Sequence, residues 1–313
     1  MGIFDKFRFM MFDRLDDDQQ LKTVNAFSWP KDRAFILHAL ENAAGNYRVR
    51  ASAVQKLPYP EERERIVRIA KEDRDDFVRD HAIEMLKYPE DRDTLVFLAS
   101  NEPGYQLVRR AVEKLPWPEE KETLASLARA DNYPVFAVRR LDAEEMLTLL
   151  EDLALHSPDR DARSAAAEKL ECPRSREVLE QFVLSDNPPD DLFRFVCKLS
   201  CPESRDTLVR VALTSPQGKA RAAALTRLPW PEERETIETA AHAPTNGDGT
   251  CRDHWIAVAA AQLIMAQAGV CPVCGGEVLH ETDPVPMNDD PNGVTGAADR
   301  YTCTKCGWKT DQA

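Results

Sequence analysis

The segment K-L-P-W-P-E-E-K-E-T at 114–123 returns almost unchanged as R-L-P-W-P-E-E-R-E-T at 227–236. Fainter copies keep the pattern Leu-x-(aromatic or Cys)-Pro, and a degenerate copy at 139–147 has Glu144 in the proline position. A period of about 29 residues is typical of a solenoid, so the chain is predicted to stack eight copies of one unit. The prolines of the seven clearer copies are Pro30, Pro60, Pro89, Pro118, Pro173, Pro202 and Pro231.

One copy predicts two helices joined by a tight turn. At 48–72, apolar residues keep helical spacing on both sides of Pro58-Tyr59-Pro60. Proline has no N–H to donate, so Pro60 is expected in the first turn of the second helix, with Glu61 and Glu62 at the positive end of its dipole. The apolar positions six and nine residues after each proline are predicted to form a continuous core.

Charged residues also recur in columns. Each base in the first column has an acid beside it, which favours a salt-bridge ladder between neighbouring units over a docking stripe for a peptide or phosphate. A second basic column, Arg50, Arg79, Arg163 and Arg221, is interpreted in the same way. The first column is Arg33, Arg63, Arg92, Lys121, Arg176, Arg205 and Arg234, and the acids that follow most of its members are Glu64, Asp93, Glu122, Glu177, Asp206 and Glu235.

The pattern V-R-x-x-A-x-x-x-L, a short turn and a second amphipathic helix resembles the HEAT and HEAT-like repeats over about 19–242. The resemblance implies an all-α fold, a right-handed α-α superhelix of about eight 29-residue repeats. That family serves chiefly as scaffolds and adaptors, with a few enzymes and nucleic-acid binders. The two-proline turn departs from the general family pattern.

The two ends of such a stack need caps. Residues 1–18 are predicted to form an N-terminal capping helix before the solenoid of 19–242, and a partner or membrane contact is the alternative for this segment. Residues 243–270 are predicted to be a loop and a C-terminal capping helix, buried on both sides, with His254 and Trp255 in its core. The apolar residues assigned to the N-terminal cap are Ile3, Phe4, Phe7, Met10, Met11 and Leu15.

Residues 271–313 contain two Cys-x-x-Cys-Gly motifs, in which Cys271 and Cys274 precede Gly275, and Cys303 and Cys306 precede Gly307. This spacing lets each tight turn direct two thiolates at one ion, and two turns complete a tetrahedron. The segment resembles a zinc ribbon, with strands expected around Glu277–Glu281, Arg300–Thr302 and Trp308–Thr310 and a mobile acidic loop at 283–298. Four cysteines fill the coordination sphere, so the ion is predicted to be a structural Zn²⁺. Rubredoxin-type iron is the alternative, disfavoured because the aromatic residues that would pack around an iron site are missing from the segment.

Composition limits the function. A net charge of −13 argues against a protein that mainly grips nucleic-acid backbone. The six histidines are scattered, and no His-Glu-x-x-His, P-loop or dinucleotide motif occurs. His280-Glu281 is the one His-Glu pair, too few for the di-iron centre of the HEAT-like deoxyhypusine hydroxylases. The chain is therefore not expected to be an enzyme, and no catalytic residue is assigned.

The sequence predicts a cytoplasmic, non-enzymatic scaffold or adaptor that contacts an unidentified protein partner and has no membrane span. The alternative is an adaptor that contacts DNA or RNA through the zinc ribbon, and only Lys305, Trp308 and Lys309 favour it. A nucleic-acid partner is disfavoured by the net charge.

Overall fold

The computed structural model describes residues 3–43, 45–242, 252–286 and 295–310, and not the side chains of 3–6, 252–257, 282–286 and 295–298. The chain divides into two compact units, Met1–Ala166 (unit 1) and Ala167–Ala313 (unit 2). Across the described ranges the protein is mostly helical, with 18 helices and one two-stranded sheet. None of the helices described is both long and apolar enough to cross a membrane.

Unit 1 is built from helices that alternate between two layers. Each odd-numbered helix from α3 to α9 packs against the even-numbered helix that follows it, and the even-numbered helices α4, α6, α8 and α10 pack side by side in that order. The helices are α1 (Ile3–Asp13), α2 (Asp17–Ala26), α3 (Arg33–Asn42), α4 (Tyr47–Val54), α5 (Arg63–Glu72), α6 (Asp76–Met85), α7 (Arg92–Asn101), α8 (Tyr105–Glu113), α9 (Lys121–Arg129), α10 (Pro134–Arg140), α11 (Leu147–His156) and α12 (Arg160–Lys169), whose last residues belong to unit 2.

The predicted helix–turn–helix is present, but Pro60 is not in the second helix. The amide of Glu62 donates to Pro58 O at 3.0 Å, and this turn occupies the residues up to Glu62, so α5 begins only at Arg63. Glu62, rather than Pro60, is the residue that precedes the helix. The seven X–Pro bonds of the clearer copies are all cis: Trp29–Pro30, Tyr59–Pro60, Tyr88–Pro89, Trp117–Pro118, Cys172–Pro173, Cys201–Pro202 and Trp230–Pro231.

The degenerate copy forms the same turn without proline. The amide of Met146 donates to Asp142 O at 3.1 Å, as the amide of Glu62 does to Pro58 O. The Asp142 carboxylate also accepts hydrogen bonds from the amides of Glu144 and Glu145 at 2.9 and 3.0 Å. An aspartate side chain that binds the backbone two and three residues on can close a turn where no proline restrains it.

A salt-bridge ladder links successive helical pairs, but it uses different acids from those predicted. Four of the seven bases pair with the acid two residues after the next proline. Arg92 and Arg205 also contact the acid beside them in sequence, at 3.2 and 3.1 Å, but those contacts stay within one helical pair. The acids two residues after a proline lie at the turns, and Asp91 is 1% exposed and also accepts from the Lys87 amide at 2.8 Å. We call each base–acid pair between successive helical pairs a rung. The rungs are Arg33–Glu62 (3.4 Å), Arg63–Asp91 (2.6 Å) and Arg92–Glu120 (2.5 Å) in unit 1, and Arg205–Glu233 in unit 2.

The second arginine column caps helices. Arg50 donates to Ala43 O at the end of α3 at 3.1 Å and pairs with Asp73 at 3.1 Å. Arg79 donates to Asp73 O at the end of α5 at 3.3 Å. A guanidinium at this place satisfies carbonyls that have no partner within the helix and complements the negative end of its dipole. Arg163 donates in the same way to Ser157 O (2.8 Å), and Arg221 to Ala212 O (3.0 Å).

The N-terminal helix packs on unit 1 through a face that was not predicted. Phe9 and Phe12 of α1 are buried, and the Phe9 ring lies 4.7 Å from that of Phe35. Phe7, Met10 and Met11 are instead exposed. They were assigned to the cap because they are apolar, yet they lie on the opposite side of the helix. The side chains of Ile3 and Phe4 lie outside the described residues.

Unit 2 contains the shortest helix of the stack and the sheet. Pro188 and Pro189 lie between α13 and α14. A proline disfavours the α conformation in the residue before it, so α14 begins only at Phe193 and has four residues. The elements are α13 (Arg176–Val183), α14 (Phe193–Val196), α15 (Arg205–Thr214), α16 (Gly218–Leu225), α17 (Arg234–Ala241), α18 (Arg252–Gln267), β1 (Val278–Pro286) and β2 (Thr295–Cys303).

Candidate metal centre

The metal centre begins where α18 ends. The strands β1 and β2 are antiparallel neighbours, with Val278 opposite Cys303 and Pro286 opposite Thr295. This hairpin is longer than the two short strands predicted, so part of the expected 283–298 loop is strand. Residues 287–294 lie outside the described residues. The third predicted strand is reduced to one bridge between Thr302 and Lys309.

Each cysteine pair lies on a tight turn closed by glycine. The amide of Gly275 donates to Cys271 O at 2.9 Å, and the amide of Gly307 donates to Cys303 O at 3.1 Å. Both glycines have positive φ, +68° and +74°, where a side chain would be strained. Gly276 is a further requirement that the sequence did not reveal, because a Cβ there would approach Lys305 Cβ to 3.0 Å.

The two turns bring all four sulfur atoms together. Every ligand atom of Cys271, Cys274, Cys303 and Cys306 lies within 4.8 Å of the others. The Sγ atoms of Cys271 and Cys306 are 3.6 Å apart, and so are those of Cys274 and Cys303. Four sulfurs placed tetrahedrally about 2.3 Å from one ion would lie about 3.8 Å apart. The predicted metal-ligating residues are therefore positioned to bind one metal ion.

Backbone amides point at the sulfurs and favour their ionised form. The amides of Cys306 and Lys305 lie 3.5 and 3.3 Å from Cys303 Sγ, and they lower the pKa of the Cys303 thiol to about 6. The Trp308 amide lowers the pKa of Cys306, but desolvation and the other thiols outweigh it and raise that pKa to about 12. Without a cation, the cluster therefore resists full ionisation, so metal binding displaces protons and weakens in acid.

The cysteines share a small core with α18. Cys271 and Cys303 are buried with Ala266, Val278 and Tyr301, and Leu263 and Trp308 pack against them. Tyr301 and Trp308 are aromatic residues beside the centre, so the sequence argument that such residues were missing is wrong.

The C-terminal helix has partners on two sides. It packs against α16 and α17, while Leu263 and Ala266 contribute to the core around the cysteines. Val258, Ala261 and Met265 are also buried. This agrees with the burial on both sides that the apolar sequence predicted, although the side chains of His254 and Trp255 lie outside the described residues.

The histidines whose side chains are described each have a local partner. His280 Nε2 lies 2.9 Å from Asp299 Oδ1 across the hairpin, and its ring stacks on Tyr301 at 4.7 Å. No second cluster of three or more metal-ligating side chains occurs in the described ranges. The others contact Asp13 (His38), Phe77 O (His81), Asp152 (His156) and Glu238 O (His242).

Two open cavities in unit 1 have charged walls. One of about 540 Å³ lies at the start of α5 and includes Glu62, Arg63 and Arg65. A second of about 580 Å³ includes Arg33 and Glu41. These charges are already engaged with one another, since Arg33 pairs with Glu62 and Arg65 pairs with Glu41 at 3.4 Å.

Comparisons with protein-family models, with curated proteins and with solved structures found no match to this chain.

Proposed function

We propose that the protein is a non-enzymatic scaffold or adaptor, built as an α-α superhelix of about eight HEAT-like repeats and ended by a four-cysteine zinc ribbon. The observation that carries the scaffold proposal is the repeated exposure of large apolar side chains. Tyr47, Phe77 and Tyr105 are each 44–48% exposed at the start of successive even-numbered helices. Exposed apolar side chains grouped on one surface mark interaction sites.

The free cysteines support a reducing compartment, and we place the protein in the cytoplasm. Cys172, Cys197 and Cys201 form no disulfide. Burial raises the pKa of the Cys172 and Cys201 thiols, which agrees with a packing role for these two side chains.

We propose that the bound ion is a structural zinc. Four thiolates in a tetrahedron suit both zinc and iron, but two Cys-x-x-Cys-Gly turns joined by an antiparallel hairpin resemble a zinc ribbon. All four positions around the ion would be occupied by sulfur, which leaves none for substrate or water. Elemental analysis of the purified chain distinguishes the two metals, and stoichiometric iron would refute this proposal.

Replacing one ligand tests the assignment of the cysteines. Cys271→Ser should reduce the metal content from about one ion per chain to near zero, because a serine hydroxyl is a poor zinc ligand. The matched control is Cys197→Ser, which removes an exposed thiol in the same unit. Retention of stoichiometric metal by Cys271→Ser would exclude the four-cysteine site.

Affinity capture of the full-length chain from its own cell extract tests the scaffold proposal. Captured proteins are identified by mass spectrometry with and without nuclease. We expect a partner that survives nuclease and moderate salt. A set of partners that disappears with nuclease would refute the scaffold proposal in favour of nucleic acid, whose binding falls steeply as salt rises.

The second candidate is an adaptor that contacts DNA or RNA through the ribbon. The exposed side chains of Lys305 and Lys309 beside the second cysteine turn favour it. Trp308 is half-buried and packs against the core around the cysteines, which leaves less of its ring available to stack on a base.

A further inference from the structure

Aromatic side chains recur at the start of four neighbouring helices in unit 1, three of them exposed and the fourth half-buried. Tyr47 is the first residue of α4, Phe77 the second of α6, Tyr105 the first of α8, and Tyr133 immediately precedes α10. A helix start needs caps for its free amides but has no need of a solvent-exposed ring. We call these four residues the aromatic row.

The row consists of two ring pairs. The rings of Tyr47 and Phe77 lie 5.5 Å apart at 81°, and those of Tyr105 and Tyr133 lie 5.5 Å apart at 88°. The pairs lie on adjoining helices, because a Cβ on Gly104 would come within 3.3 Å of Asp76 Oδ2. The starts of α4, α6, α8 and α10 therefore form one continuous edge with rings at both ends.

The same edge is rich in exposed carboxylates. The start of α2 adjoins that of α4, since Asn46 Nδ2 donates to Asp17 O at 3.3 Å. Asp17, Asp18, Asp76 and Asp131 are exposed there. Bases also lie along this edge: Arg48 pairs with Asp18 at 3.5 Å, Arg79 pairs with Asp76 at 2.7 Å, and Arg74 is exposed. The acids have a local role at helix starts, but together with open ring faces they also favour a cation over an anion.

This chain already places cations on exposed rings elsewhere. Lys71 Nζ lies 4.9 Å from the ring centre of Phe97, whose exposure of 47% matches the 48% of Phe77. Within the described residues, no lysine or arginine lies over the rings of Tyr47, Phe77 or Tyr105. His81 contacts the Phe77 ring at 4.4 Å and Phe136 contacts the Tyr105 ring at 4.7 Å. The ring surface that remains exposed lies beside carboxylates, and such surroundings attract a cation.

We propose that the aromatic row binds an extended, basic segment of a partner protein, with one lysine or arginine at each ring pair. This inference rests on the proposed scaffold function and identifies its surface. Packed helices are about 8–10 Å apart, so the two ring pairs, two helices apart, are separated by about 16–20 Å. An extended chain advances about 3.3 Å per residue. The two basic residues are therefore five or six positions apart.

The test is fluorescence anisotropy with the metal-loaded full-length chain and labelled peptides. One 12-residue peptide has two arginines six positions apart, and a second has the same composition with the arginines adjacent. We expect the spaced peptide to bind about tenfold more tightly, since only it reaches both ring pairs. Equal binding, or no binding by either peptide, would overturn the proposal.

Matched variants locate the binding. Phe77→Ala should weaken the spaced peptide about tenfold, and Phe77→Tyr should restore it. The control is Phe97→Ala, which removes an equally exposed ring from the other layer and should leave binding unchanged. Equal losses in Phe77→Ala and Phe97→Ala would overturn the proposal, and so would tighter binding of an acidic peptide or a single-stranded RNA.

A further experiment distinguishes failure of the aromatic-row proposal from failure of the scaffold proposal. A nuclease-resistant partner captured equally by the native chain and by the Phe77→Ala, Tyr105→Ala variant would keep the scaffold and refute the row. Loss of the partner in that variant, but not in Phe97→Ala, would support both.

Discussion

At the turns, single carboxylates connect neighbouring helical pairs. Asp91 accepts hydrogen bonds from the Arg63 guanidinium and the Lys87 amide, and almost none of its surface is exposed. A buried carboxylate is stable only when such donors surround it. The rung is thus a structural feature, and this part of the charge pattern in the sequence reflects packing between helical pairs.

Neutralising Asp91 should destabilise unit 1. We expect Asp91→Asn to lower the free energy of unfolding by about 1.5 kcal/mol, the low end for a charged hydrogen bond, because the Arg63 side chain is 39% exposed and screened by water. Urea denaturation followed by circular dichroism measures the shift. Asp93→Asn is the control, since that side chain is 97% exposed and should change stability by less than about 0.5 kcal/mol. Equal effects of the two variants would refute a structural role for the rung.

The sequence predicted that a ladder exists but not which acids form it. Asp93 is adjacent to Arg92 in the chain and contacts it at 3.2 Å, but its side chain is 97% exposed and links no second helical pair. The acid two residues after the following proline is nearly 30 positions away. Its proximity depends on how far one helical pair is displaced along the next, and a single sequence does not encode that displacement in any local pattern.

At the scale of helices, the rung between α13 and α15 is missing. Ser204 occupies the position of the rung acid, and neither its hydroxyl nor Arg176 Nε has a hydrogen-bond partner. Arg176 approaches Glu180 in its own helix at 3.8 Å. In the last pair, Arg234 likewise pairs with Glu238 in its own helix at 2.7 Å. When the next helical pair provides no acid at the rung position, the base pairs with an acid four residues later in its own helix.

Restoring the acid should strengthen unit 2. We expect Ser204→Glu to raise the free energy of unfolding by about 1 kcal/mol, because the carboxylate gains the Arg176 partner that equivalent acids have. Ser175→Glu is the control, since Leu147 occupies the matching base position and a buried carboxylate there would be destabilising. Thermal melts of the two variants should shift in opposite directions. A lower melting temperature for Ser204→Glu would contradict this prediction and would show that the site has no room for a glutamate side chain.

Helix positions were predicted more accurately than the faces they bury. The Cys-x-x-Cys-Gly spacing located the metal ligands because two turns of fixed shape leave little freedom. By contrast, α1 has apolar residues on several sides, so the sequence did not show that Phe9 and Phe12 would be buried and Met10 and Met11 exposed. The hairpin also extends beyond its prediction, through residues such as Asp283 and Pro284 that rarely favour strands.

At the scale of the whole molecule, the metal centre and the end of the helical stack share one core. Leu263 and Ala266 belong both to α18 and to the cluster around the cysteines. Loss of the ion would leave crowded thiols in place of a metal-linked core. Metal removal should therefore destabilise the segment around the cysteines and the end of α18, and the effect should remain within unit 2.

Chelation followed by hydrogen–deuterium exchange measures this extent. We expect the amides of Leu263–Gln267 and of β1 and β2 to exchange at least about tenfold faster after metal removal, because a metal site stabilises the structure that supplies its ligands. The helices α4, α6 and α8 serve as the internal control and should be unaffected. Re-addition of zinc should restore protection. A uniform increase across both units would contradict the localised effect.

Each rung joins a base from one helical pair to an acid from the next, so a pair that has both rung residues presents a cation on one side and an anion on the other. A new copy of about 29 residues, inserted in phase, would bring both the base and the acid of a rung, so every rung charge would still have a partner. Deletion of whole copies would also keep the rung charges paired. A deletion that ends in the middle of a copy would instead leave one rung charge without its partner at each end of the deletion. Such a chain can gain copies by gene duplication, or lose them by deletion, without changes to the contacts between helical pairs. The near-identical segments at 114–123 and 227–236 are what a recent duplication would produce.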